Sequence, residues 1–151
     1  MSDRLQIALP AEIDSLLAIR NFIEDACSQA GLDDETSYDI KLAVDEACMN
    51  IIEHGYAGLD PGSIVVSLQC GTRKLVVRIS DFGHPFEPSE PPEPDPEAAL
   101  AGKPGGIGLY FIYRSVDSVS YEASESGNTL TLVKNLGPEN QNSENQNSKE
   151  K

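Results

Sequence analysis

Three short stretches hold the residue types that phosphate and nucleotide chemistry require. Glu46, Asn50 and His54 recur at intervals of four, which on a helix sets them along one face. The carboxamide oxygen of Asn50 is a hard ligand suited to Mg²⁺, and a carboxylate one turn away, Glu46, can orient or deprotonate an attacking hydroxyl. Asp81-Phe82-Gly83-His84-Pro85-Phe86 follows a β-rich run. An Asp at a strand end can accept the exocyclic amine of adenine, and Gly83 lets backbone come close to the base. Gly105-Gly106-Ile107-Gly108-Leu109 precedes a helical pattern, where glycines let backbone N–H groups wrap phosphate oxygens at the positive end of the helix dipole. Taken singly, each stretch also fits ordinary structure: the solvated face of an amphipathic helix, a turn, a glycine bend. The glycine bend lacks the Lys-Ser/Thr of a Walker loop and does not directly follow a strand, so neither that loop nor a dinucleotide fingerprint is available.

The elements that must position these residues follow from periodicity. Arg4 to Leu9 alternates as a strand, and Pro10-Ala11-Glu12 opens a first helix that ends at Gly31. Asp33 or Asp34 can cap a second helix, with Ile40, Ala43, Val44, Ala47 and Ile51 as its buried stripe and His54-Gly55 as its end. Ser63 to Gln69 and Lys74 to Ile79 read as an antiparallel hairpin. Prolines crowd the acidic stretch from Phe86 to Pro104, which excludes a regular strand or long helix through most of it and predicts a long functional loop. A helix through Leu109 to Ser115 and two strands, Val119 to Ala123 and Thr129 to Leu136, follow. Beyond Gly137 the polar repeat Glu139-Asn140-Gln141-Asn142-Ser143 and Glu144-Asn145-Gln146-Asn147-Ser148 predicts a disordered tail over 137–151, leaving one folded domain over 1–136.

Composition narrows the function classes. With 151 residues the chain is about one domain. A net charge of −14, with only 11 Lys and Arg, argues against direct nucleic-acid binding and favours a protein partner. No apolar run reaches membrane-spanning length, and the N-terminus does not resemble an export signal, so a soluble cytoplasmic protein is expected. Cys27, Cys48 and Cys70 are odd in number and widely spaced, which suggests reduced thiols.

In this order, with the Pro-rich loop between the second and third, the motifs resemble the GHKL ATPases, the superfamily of gyrase and the histidine kinases. Glu46-Ala47-Cys48-Met49-Asn50-Ile51-Ile52-Glu53-His54-Gly55-Tyr56 is similar to the N box, and Asp81-Phe82-Gly83 and Gly106-Ile107-Gly108 to the two glycine boxes. More narrowly, the Asn-x-x-x-His-Gly-Tyr pattern, the Asp-x-Gly-x-Pro-Phe pattern and the short length resemble the bacterial anti-sigma-factor serine kinases, over Leu5 to Leu136. The resemblance implies an α+β fold of the Bergerat type, an α/β sandwich with a mixed, mostly antiparallel sheet and helices on one face. It also implies ATP and Mg²⁺ as cofactors. Glu46 matches the general base, Asn50 the Mg²⁺ ligand and Asp81 the adenine-binding acid. Gly83, Gly106 and Gly108, with Gly105 beside them, match the nucleotide contacts, residues 87–104 the ATP lid and Lys103 a phosphate contact. Arg20 lies where the family engages its sigma factor. The implied activity is phosphoryl transfer to a serine of an anti-sigma-factor antagonist, alternating with inhibition of a sigma factor, by a homodimer. His84-Pro85 departs from the wider pattern, which often has a further glycine there. The alternative is a non-catalytic nucleotide-binding module that switches between partners, against which the presence of Glu46 argues.

Overall fold

Apolar residues alternate along every strand, and their register puts them on one face of a five-stranded sheet. The computed structural model describes residues 4–85 and 112–137; the lid at 87–104, Lys103, Gly105, Gly106, Gly108 and the tail from 138 lie outside them. In chain order the elements are β1 (Arg4–Pro10), α1 (Ser15–Gln29), α2 (Asp34–Asn50), a π-helical turn (Ile51–Gly55), β2 (Ser63–Cys70), β3 (Lys74–Asp81), β4 (Ser118–Ser124) and β5 (Gly127–Asn135). Residues 112–115, before β4, are helical. The strand order is β1-β2-β3-β5-β4, and all four pairings are antiparallel, so the mixed sheet allowed by the resemblance is antiparallel among the described residues.

Leu68, Val66 and Ile64 of β2 stand opposite Val77, Ile79 and Asp81 of β3, which stand opposite Leu132, Leu130 and Asn128 of β5. All of these are buried, and the apolar ones pack with Ile19 and Ile23 of α1 and Ile40, Ala43, Val44 and Ala47 of α2 in one core. The other face carries Ser80, Thr129 and Glu122 in one row and Arg78, Thr131 and Ser120 in the next. Removing a fully buried side chain such as Ile79 by substitution with Ala costs about 2–5 kcal/mol.

Local chemistry sets the helix ends. Pro10 belongs to β1, and Ala11 still donates to the Gly62 carbonyl at 2.8 Å, so α1 starts at Ser15 rather than at Pro10-Ala11-Glu12. Gly31, at φ +75°, closes α1: its N–H reaches the Ser28 carbonyl and that of Leu32 reaches Cys27. Of the two candidate caps it is Asp33 that works, accepting the Thr36 N–H at 2.8 Å, and hydrogen bonding from the Thr36 side chain and backbone lowers its carboxyl pKa from the ordinary value. The second helix is α-helical only to Asn50. It then widens into the π-helical turn, with Gly55 and Tyr56 turned into the core and Glu53 and His54 exposed.

Candidate nucleotide site

Asp81 ends β3 on the covered face, in a row with Ile64 and Asn128, and is only 3% exposed. A buried carboxylate needs donors, and two reach the same oxygen. Oδ1 accepts from the Gly83 N–H at 2.8 Å and from Asn128 Nδ2 at 3.0 Å. The first bond folds Asp81-Phe82-Gly83 into an Asx turn. Asn128 Nδ2 also donates to the Gly83 carbonyl at 2.9 Å and so holds both ends of that turn. Among the described residues nothing donates to Asp81 Oδ2.

This turn is stitched to the end of the second helix. A Cβ on Gly83 would lie 2.3 Å from the Gly55 carbonyl oxygen, so only glycine allows the approach. The His84 N–H donates to the same carbonyl, and the His84 ring donates from Nε2 to the Ala57 carbonyl at 3.0 Å, since a carbonyl can only accept. Tyr56 completes the joint. Its hydroxyl donates to the Ser63 carbonyl at 3.0 Å and accepts the Phe82 N–H at 2.8 Å. Burial pushes its phenol up.

Glu46 and Asn50 are half-buried on α2, one turn apart. Burial, reinforced by the charges of Asp45 and Glu53, raises the pKa of Glu46 above the ordinary glutamate value. Arg20, on α1, grips the neighbouring Asp45 through two bonds, Nε to Oδ1 at 2.7 Å and Nη2 to Oδ2 at 3.2 Å. The Cys48 thiol is fully buried and pushed up to about 12, mainly by desolvation, which fits a core residue. Among the described residues no three of His, Cys, Asp and Glu are grouped to hold a metal. An open groove of about 610 Å³ is lined by Ser80, Glu122 and Thr129 of the uncovered face together with Asp81, Asn128 and the hairpin turn, and by no residue of α2.

The structure thus joins Asp81 and Gly83 to the end of the helix that carries Glu46 and Asn50, and it pairs Arg20 with the acid next to Glu46. Lys103, Gly105, Gly106 and Gly108 lie outside the described residues. Sequence reasoning missed Asn128, which reads as part of the hairpin turn Ser126-Gly127-Asn128. The available signal was its phase: it alternates with Leu130 and Leu132, so a polar side chain falls on the apolar face. The role of Tyr56 was missed as well, because nothing local indicates a hydroxyl bridging Ser63 and Phe82.

A family model described as histidine kinase-like ATPase domain matches residues 9–134. The chain is 33% identical to the serine-protein kinase RsbW of Listeria monocytogenes serotype 4a, covering 89% of this chain and 88% of that protein. To the serine-protein kinase RsbW of Bacillus pumilus it is 30% identical, over 91% of this chain and 88% of the relative. The serine/threonine-protein kinase BtrW of Bordetella bronchiseptica is 29% identical over 68% of this chain and 72% of its own. The crystal structure of the RsbU and RsbW domains of a Mycobacterium tuberculosis protein superposes with a TM-score of 0.64 at 23% identity. It covers 90% of this chain, which spans 33% of that longer one, and the likeness bears on the fold. With the Asp-x-Gly turn locked against the helix of Glu46 and Asn50, these matches place the chain in the histidine kinase-like ATPase domain family, among its RsbW-type serine-protein kinases.

Proposed function

We propose that the chain binds Mg-ATP between α2, the Asp81 turn and the glycine-rich segment at 105–108, and transfers the γ-phosphoryl group to a serine of an anti-sigma-factor antagonist. In its other state it would bind and silence a sigma factor. The observation that carries the reading is the Asp81 carboxylate, buried, held by two donors on one oxygen and open on the other. That is the arrangement needed to accept an amine from a base.

In this reading Asp81 binds the adenine amine, Gly83 lets the base approach backbone, and Gly105, Gly106, Gly108 and Lys103 contact phosphate. Asn50 would hold Mg²⁺, which when bound neutralises charge on the phosphate oxygens. Glu46 takes the proton from the serine hydroxyl as its oxygen forms the bond to the γ-phosphorus and ADP leaves. A carboxylate with a raised pKa is the better base for that step, and positioning with charge stabilisation supplies most of the rate. For partner docking, Leu17 of α1 and Ile13 in the turn before it are 64% and 55% exposed, and Leu17 lies one turn from Arg20, which supports a mixed apolar and cationic surface for the sigma factor. A homodimer acting in the cytoplasm fits this role; no helix among the described residues is long and apolar enough to cross a membrane.

Incubation of the protein and host lysate with γ-labelled ATP and Mg²⁺ tests the proposal. Label should appear on a serine of a small host protein, and Glu46→Gln should abolish it. ATP binding without any labelled protein would favour the non-catalytic partner switch instead.

A further inference from the structure

Asn128 is a buried amide whose orientation is fixed by its neighbours. Asp81 Oδ1 and the Gly83 carbonyl are both acceptors and both take a hydrogen from Nδ2, at 3.0 and 2.9 Å. The flipped amide would set oxygen against oxygen at both contacts. With both N–H bonds engaged, the side chain has only its carbonyl oxygen left. Like Asp81, Asn128 is 3% exposed, and among the described residues neither Asn128 Oδ1 nor Asp81 Oδ2 has a donor. The two residues are register partners, Asp81 at the end of β3 and Asn128 at the start of β5.

Resting on the nucleotide reading above, we propose that Asn128 is a selectivity-determining residue for the base: it pins the Asp81 carboxylate in one rotation and leaves this corner with acceptors only. A purine with an amine at position 6 satisfies such a corner. One with a carbonyl oxygen there sets acceptor against acceptor and leaves buried polar groups unpaired, the situation in which hydrogen-bonding sites discriminate most strongly. The carboxylate supplies the charge, and the amide keeps that charge aimed. Without the amide, Asp81 retains one donor, Gly83 N–H, and can rotate to accept either from the 6-amine of one base or from the ring N1–H that a 6-oxo base carries. Asn128 acts through Asp81 and is a positioning residue.

The test compares binding of Mg-ATP and Mg-ITP, whose base carries oxygen in place of the 6-amine, to the wild-type chain and to Asn128→Leu and Asn128→Thr. Circular dichroism and thermal melting confirm that the variants fold. The wild type should prefer ATP by about tenfold or more. In Asn128→Leu that preference should fall below about threefold, mostly through weaker ATP binding, whereas a role in stability alone would weaken both nucleotides equally. Asn128→Thr, whose hydroxyl replaces one of the two donated bonds and covers the event that the Leu variant does not fold, should fall between them. A wild type that binds both nucleotides alike, or a preference unchanged in the folded variants, overturns the proposal while leaving the nucleotide reading intact. A wild type that binds neither overturns both.

Discussion

A half-buried carboxylate flanked by Asp45 and Glu53, as Glu46 is, is held in its charged form at the expense of the fold. Because its pKa is raised in the native state, the folded protein binds that proton more tightly than the unfolded chain. Its contribution to stability is therefore lost as pH rises from the ordinary glutamate value, about 4.3, through the raised native one. Glu46→Gln should raise the melting temperature at pH 7, and the gain should vanish near pH 4; a melting curve at each pH checks this. The same substitution should abolish phosphoryl transfer while leaving ATP binding within about twofold, since a residue used only in the chemical step lowers kcat without changing affinity. Wild-type transfer should fall on acidification with a midpoint above the ordinary glutamate value. Glu46, Asn50, Asp81 and Gly83 stood out as candidates once residue type and spacing were combined with the order of the motifs along the chain. Asn128 did not, because a hairpin turn explains its identity equally well until the pairing of β3 with β5 brings it beside Asp81.

At the scale of elements, the joint between the second helix and the Asp81 turn explains how two separate motifs act as one body. Tyr56→Phe removes the bond to the Ser63 carbonyl and leaves the Phe82 N–H without its acceptor. The predicted loss is about 1–3 kcal/mol in urea unfolding, accompanied by weaker ATP binding. Gly83→Ala drives a methyl into the Gly55 carbonyl, where the obstacle is backbone rather than a flexible side chain. It should cost more stability than Tyr56→Phe and lose nucleotide binding. Strand positions were readable because their alternation survives to within a residue or two of the observed ends. The π-helical turn was not, since Ile51, its first residue, is buried one turn after Ala47 of α2 as it would be in a continued α-helix. The start of α1 was misread because Pro10 is as acceptable at the end of an edge strand as at the start of a helix.

For the molecule as a whole, the antiparallel order β1-β2-β3-β5-β4 could not be read locally, because it depends on β5 inserting beside β3, a pairing between segments some fifty residues apart such as Ser80 and Thr129. The net charge of −14 was legible at once and has its own consequence. Self-repulsion among acids weakens the fold, and salt screens it, so the urea midpoint should rise between about 50 mM and 500 mM NaCl. The central claim, that this chain holds Mg-ATP at a site built from Asn50 and Asp81, is tested most directly by calorimetric titration with ATP, with and without Mg²⁺, on the wild type and Asn50→Ala. Binding should require Mg²⁺ in the wild type and be lost in Asn50→Ala. Absence of ATP binding, or binding indifferent to both Mg²⁺ and Asn50, would contradict it.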